Sequence, residues 1–121
     1  MTHEVGIITQ TLDIALDRAY TKGASQIHWL KMRIGRDSGV VPEALEFAFD
    51  VVTKGTIAED AKLEIETVPV ICHCSKCDLD FQPIKPIDEL NQPIYECPLC
   101  GKLSEQVLAG KEIELVSLEV S

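Results

Sequence analysis

Between Val5 and Tyr20 the apolar residues Val5, Ile8, Leu12, Leu16 and Ala19 recur at every third or fourth position, and Thr9, Asp13 and Asp17 fall on the opposite side. That spacing draws one apolar stripe along a helix, with Gly23 where its end is expected. The period then changes to two. In IHWLKMRI, from Ile27 to Ile34, Leu30, Met32 and Ile34 alternate with Lys31 and Arg33, the pattern of a strand buried on one face. GRDSGVVPEALEFAFDVVTKG reads as a loop and a second helix. Pro42 suits its first turn, Glu43 and Glu46 favour the positive end of its dipole, Leu45, Phe49 and Val52 form its stripe, and Gly55 marks its stop. A second strand is expected in KLEIETVPV, Lys62 to Val70, where Leu63 and Ile65 alternate with Glu64 and Glu66. IELVSLEV, from Ile113 to Val120, sets Val116, Leu118 and Val120 against Glu114, Ser117 and Glu119 with an imperfect period, and reads as a third strand.

Between the last two strands, roughly from Ile71 to Gly110, the periodicity fails. This segment holds all five cysteines and four of the six prolines, and its apolar residues are too few to build a core unaided. It needs a staple. The chain shows no internal repeat beyond two Cys-x-x-Cys knuckles and no low-complexity tract.

Composition narrows the function. A chain of 121 residues, 45% apolar, suffices for one compact unit carrying a small stapled lobe. Its formal charge of -9 opposes phosphate backbones and anionic lipid, so neither nucleic acid nor membrane is an expected partner. From Cys72 to Gly101 there are two basic residues, Lys76 and Lys85, against five acidic ones, so the cysteine segment is itself negative. There is no run of about 18 apolar residues to span a bilayer, and the N-terminus lacks the basic and apolar blocks of a signal peptide. A cytoplasmic location is expected. Thiols stay reduced there, which favours metal over disulfides for paired cysteines.

Cys74 and Cys77 bracket two residues, as do Cys97 and Cys100, with 19 residues between the pairs. Two such turns can aim four sulfurs at one point, a tetrahedral thiolate set for a structural zinc ion. Four thiolates leave no position for a catalytic water, so this zinc folds the lobe rather than performing hydrolysis. Iron is the rival occupant. CPLCG also looks like the metal knuckle of rubredoxins, which carry electrons, although most of this chain lies elsewhere. Cys72 falls one residue off the knuckle spacing and reads as a buried thiol. His73 reads as a solvated imidazole, and His28 as a structural residue.

His3 stands near the chain start, and nickel(II) and copper(II) favour square-planar nitrogen sites. With Met1 retained, its amine, the amides of Thr2 and His3 and the His3 imidazole form one such plane. With Met1 removed, the Thr2 amine, the His3 amide and imidazole and the Glu4 amide form another. Both routes reach nickel.

The His3-Glu4-Val5 start before an amphipathic helix, IGRDSGVVPEALEFAFD after the first strand, KLEIETVPV, then CHCSKC and CPLCG before the final IELVSLEV together resemble the HypA/HybF family of hydrogenase nickel-incorporation proteins over essentially the whole chain. The resemblance implies an α+β fold. Two helices would pack on a three-stranded sheet as a nickel-binding domain of residues 1–70 plus 111–121, with a zinc-ribbon lobe inserted over 71–110. It also implies a metallochaperone, not an enzyme, that takes nickel(II) as transferable cargo. With HypB, a GTPase, such a protein loads nickel into the large subunit of nickel-iron hydrogenase; a homodimer stays an open candidate. The family's nickel histidine falls on His3 and its glutamate on Glu4, and its zinc cysteines on Cys74, Cys77, Cys97 and Cys100. The family begins Met-His-Glu, whereas Thr2 intervenes here, so the donor set involves Met1 or Thr2 according to whether Met1 is removed.

Two other classes compete with that reading: a rubredoxin-like electron carrier and a zinc-ribbon interaction module without nickel. No phosphate-cradling loop, nucleophile elbow or open metal site with a paired base is present, so no catalytic residue is assigned.

Overall fold

The computed structural model of the protein describes residues 3–83, 95–104 and 106–121. The described elements are α1 (His3–Thr21), β1 (Ile27–Gly35), α2 (Pro42–Val52), β2 (Lys62–Val68), β3 (Ile71–Cys74), β4 (Leu79–Phe81), β5 (Gln106–Ala109) and β6 (Ile113–Val120). They form two three-stranded sheets, in the orders β2-β1-β6 and β4-β3-β5, and the fold is α+β. The chain divides into two compact units, the first made of Met1–Ile34, Val40–Glu66 and Ile113–Ser121 and the second of Gly35–Gly39 and Thr67–Glu112.

In the first unit the helical stripe does what its spacing asks. Ile8, Leu12, Ala15 and Ala19 are buried, Val5 and Leu16 pack partly against the same core, and Thr11 joins them because its hydroxyl donates to the Ile7 carbonyl at 2.9 Å. α1 ends in a paired cap: the Gly23 N–H donates to Tyr20 and the Ala24 N–H to Ala19, with Gly23 at φ 71°, where a side chain would be strained. α2 contributes Leu45, Ala48 and Phe49 to the core, and ends at Val52 with the Thr53 hydroxyl on the Phe49 carbonyl at 2.7 Å. Gly55 lies beyond that end. On the central strand, Leu30, Met32 and Ile34 are buried. Arg33, half-exposed, reaches Glu66 at 3.2 Å and Glu114 at 3.0 Å, tying the centre to both neighbours through ion pairs that water screens.

Two details depart from the sequence pattern. β1 and β6 are antiparallel, but Lys31 faces Ser117 while Met32 faces Leu115, so Val116 is an unmatched residue. This bulge reverses the parity of β6. Leu115, not Val116, packs on the core together with Leu118 and Val120. The expected strand Lys62–Val70 also stops early, at Val68, next to Pro69, which has no N–H to give a ladder.

The second unit has a smaller core of Val70, Cys72, Cys74, Phe81 and Cys97. β3 pairs antiparallel with both β4 and β5. The Asp37 N–H donates to Gly110 at 2.7 Å and the Arg36 N–H to Val68 at 2.9 Å, fastening the segment after β1 into this unit. Gly35 is required there, since a Cβ would overlap the Gly110 carbonyl. Among the described residues no helix is long and apolar enough to cross a membrane.

Candidate metal centre

Each Cys-x-x-Cys pair is followed directly by a residue in the left-handed region. β3 delivers Cys74; three residues on, the Cys77 N–H donates to the Cys74 sulfur at 3.5 Å, and Asp78 then turns the chain at φ 51°. In the second turn, the Gly101 N–H donates to the Cys97 carbonyl at 2.9 Å, with Gly101 at φ 73° in the place of Asp78. Glycine enters that left-handed region freely, and aspartate is among the few side chains that tolerate it. The Cys97 N–H donates to Lys102, closing the second turn as a hairpin.

These turns bring Cys74, Cys77, Cys97 and Cys100 together, every sulfur within 4.8 Å of the others. Cys74 and Cys100 are 3.6 Å apart, and Cys77 and Cys97 are 4.0 Å apart. A tetrahedron with metal–sulfur bonds of about 2.3 Å has edges of about 3.8 Å, so the set already has the dimensions of a four-thiolate shell. All four cysteines are free rather than disulfide-bonded. Cys74 and Cys97 are buried and Cys77 and Cys100 half-buried, which limits water around the centre.

The four thiols do not ionise alike. The Cys77 N–H is the largest of the influences that draw Cys74 down to about 6, with contacts from Cys100 and Cys97 adding to it. Cys77 is pushed up to about 12, chiefly by its hydrogen bond with Cys100. One thiolate is therefore favoured, while further negative charge on sulfurs this close is opposed. A divalent cation held by these four sulfurs would relieve that opposition by replacing the protons.

Cys72 shares a face of β3 with Cys74 but lies outside the cluster. It is fully buried, and burial, then the charge of Asp37, pushes its thiol up. His73, on the other face, is not simply solvated: Nδ1 meets Asp80 at 2.8 Å and Nε2 meets Asp78 at 3.5 Å. His28 contacts the Ser121 hydroxyl through Nε2 at 2.7 Å. The Tyr95 hydroxyl donates to the Asp37 carboxylate, fixing the chain just before Cys97. The pattern of the chain offers no sign of that pair, since 58 positions separate its members.

At the other candidate site, His3 is exposed as the first residue of α1, and Glu4 follows it in the first turn. The Glu4 carboxylate accepts the Val41 N–H at 3.3 Å. Its pKa is lowered first by its own backbone N–H, then by that of Val41. The amide nitrogens of a first helical turn have no carbonyl four residues back, so binding a metal through them takes no bond from the helix. Met1 and Thr2, the other expected nickel donors, lie outside the described residues.

The family model described as "Hydrogenase/urease nickel incorporation, metallochaperone, hypA" matches residues 1–120. A hydrogenase maturation factor HypA from a Picosynechococcus species is 54% identical over 118 residues, covering 98% of both chains. That of Acidithiobacillus ferrooxidans is 39% identical over 118 residues, again 98% of each. Two solution structures share the fold. One is of a HypA protein, with TM-score 0.68 and 22% identity over 98% of this chain and 96% of that one. The other is of the Ni metallochaperone HypA from Helicobacter pylori, with TM-score 0.64 and 23% identity over 98% and 97%.

Proposed function

This chain belongs to the HypA family of nickel-incorporation metallochaperones, and from that premise we propose that it binds nickel(II) at its N-terminus and hands it on during hydrogenase maturation. The observation that carries this reading is the contrast between its two candidate sites: four sulfurs enclosed at metal-shell spacing, and an exposed histidine on an open helix end. The closed shell suits zinc(II) held permanently for structure. The open end suits cargo.

Nickel would be taken by the His3 imidazole, the His3 amide, and either the Met1 amine with the Thr2 amide or, once Met1 is removed, the Thr2 amine with the Glu4 amide. Each set includes two deprotonated amides. Their two negative charges cancel the 2+ of nickel, so the positive end of the α1 dipole does not expel it. Protons compete for the same nitrogens, which makes release chemically simple. Glu4, clipped to Val41, holds the start of α1 in place for that exchange. Residues 1–70 plus 111–121, apart from the segments 35–39, 67–70 and 111–112 that belong to the second compact unit, would then be the nickel-binding domain and 71–110 the zinc lobe. The partners in this scheme are the GTPase HypB, which supplies nucleotide hydrolysis that this chain does not, and the hydrogenase large subunit. Free cysteines fit work in the reducing cytoplasm.

The deciding experiment is a nickel titration of wild type and His3→Ala, with zinc content and intact mass recorded on the same samples. One nickel per chain is expected in the wild type, at least 100-fold weaker nickel binding in the variant, and zinc in both. Unchanged nickel uptake in His3→Ala would overturn the assignment. The mass separates the two donor sets, and a colourless sample excludes iron at the four cysteines.

A further inference from the structure

α2 presents an apolar surface that its own fold does not use. Leu45, Ala48 and Phe49 are buried on its inner side, so the helix is firmly seated, yet Phe47 is 74% exposed and Val51 54% exposed on the outer side. Residues four apart on a helix adjoin, so these two make one patch. Beside it, on the same outward side, stand the exposed carboxylates of Glu43, Glu46 and Asp50. None of the three has an ion-pair partner among the described residues. Over residues 42–60 the chain carries five acidic side chains against Lys54 alone.

From this arrangement we infer that the outer face of α2 docks a partner protein whose contact patch is an apolar cleft flanked by lysine or arginine side chains. Phe47 is the anchor. A large exposed aromatic filling a pocket, with charged groups at the rim, is how a small interface gains affinity and selectivity together. The carboxylates decide the occupant. A second copy of this chain would set Glu43, Glu46 and Asp50 against their own equivalents, and an anionic lipid surface would be repelled in the same way. The face also starts beside the proposed cargo site, because Val41, itself 51% exposed, is held by Glu4 next to His3. Docking there brings a basic partner to the end of α1. This placement and the choice of HypB as the partner tested rest on the reading above; the apolar and acidic face itself does not.

The test uses the full-length, zinc-loaded protein titrated calorimetrically with purified HypB GTPase at 50 and 300 mM NaCl. Phe47→Ser with Val51→Ser should weaken the complex at least tenfold. Glu46→Gln with Asp50→Gln should weaken it less but flatten its salt dependence. Leu108→Ser, an exposed leucine in the second unit, should leave it within twofold. Circular dichroism and zinc content confirm that each variant is folded. Affinity within twofold of wild type in the Phe47 and Val51 variant, or no wild-type complex at all, overturns the inference. So does a homodimer that dissociates in that variant, or wild-type binding to phosphatidylserine vesicles. His3→Ala, run alongside, should dock normally; nickel retained there would sink the cargo reading and leave the docking face standing.

Discussion

Ile8, Leu12, Leu30, Met32, Leu45 and Phe49 meet in one continuous apolar core, whereas among the described residues three of the five buried members of the second unit's hydrophobic cluster, Cys72, Cys74 and Cys97, are cysteines. The first unit is held by area removed from water, at roughly 1.5–3 kcal/mol for each large side chain. Among the described residues the second buries fewer large apolar side chains, and its strands β3, β4 and β5 are only four, three and four residues long. Two of its buried cysteines instead belong to a set of sulfurs poised for a cation. With a cation in that set, one chain has two means of holding a fold, and each should fail by its own route.

Removing the metal is the harshest way to test that difference. A chelator, or Cys97→Ser, should abolish amide-exchange protection across β3, β4 and β5 while α1 and β1 stay protected. The loss should be on the order of 10 kcal/mol, the scale of a structural zinc site. Protection that persisted in the second sheet without metal would mean that Val70 and Phe81 suffice, and the contrast would dissolve. The reciprocal test is Phe49→Ala, which empties a fully enclosed site in the first unit and should cost about 3–5 kcal/mol in urea unfolding. Zinc content should be unchanged. Metal lost together with Phe49 would show that the two units do not fail independently.

The same difference explains what can be read from the chain. α1 and β1 are long enough for periods of 3.6 and 2 to declare themselves: Ile8, Leu12 and Ala19 in α1 and Leu30, Met32 and Ile34 in β1 are buried as the pattern asks, whereas Thr11, Ala15 and Ile27 are buried without standing out in it. The pattern misleads in β6, because the bulge at Val116 is a property of its pairing with β1 and leaves no local mark. Ala48 is buried in α2 but too small to stand out in a stripe. In the second unit, strands of three or four residues carry no usable period, so that sheet is invisible in the pattern. The four cysteines are legible for the opposite reason: a two-residue spacing is a local geometric demand, readable without knowing the fold. The placement of His73 between Asp78 and Asp80 is set by the pairing of β3 with β4, which no local signal announces.

The gentlest test of the comparison is acid, with Glu4 as the reporter. Its folded pKa lies below the usual 4.5, first through its own N–H and then through that of Val41. A carboxylate depressed in the folded state contributes its stabilisation above 4.5, and the contribution fades as pH falls through the lower folded value. Because the bond between Glu4 and Val41 is open to solvent, the effect on overall stability should be small. It should still be visible in the Val41 amide resonance, which ought to titrate with a midpoint below 4.5 in wild type and not at all in Glu4→Gln. The thiolate site faces protonation directly, since every proton that returns to sulfur competes with the metal. On lowering the pH, then, the second unit should lose protection before the Val41 resonance begins to move; the reverse order would mean that the cation is not what holds the second unit together.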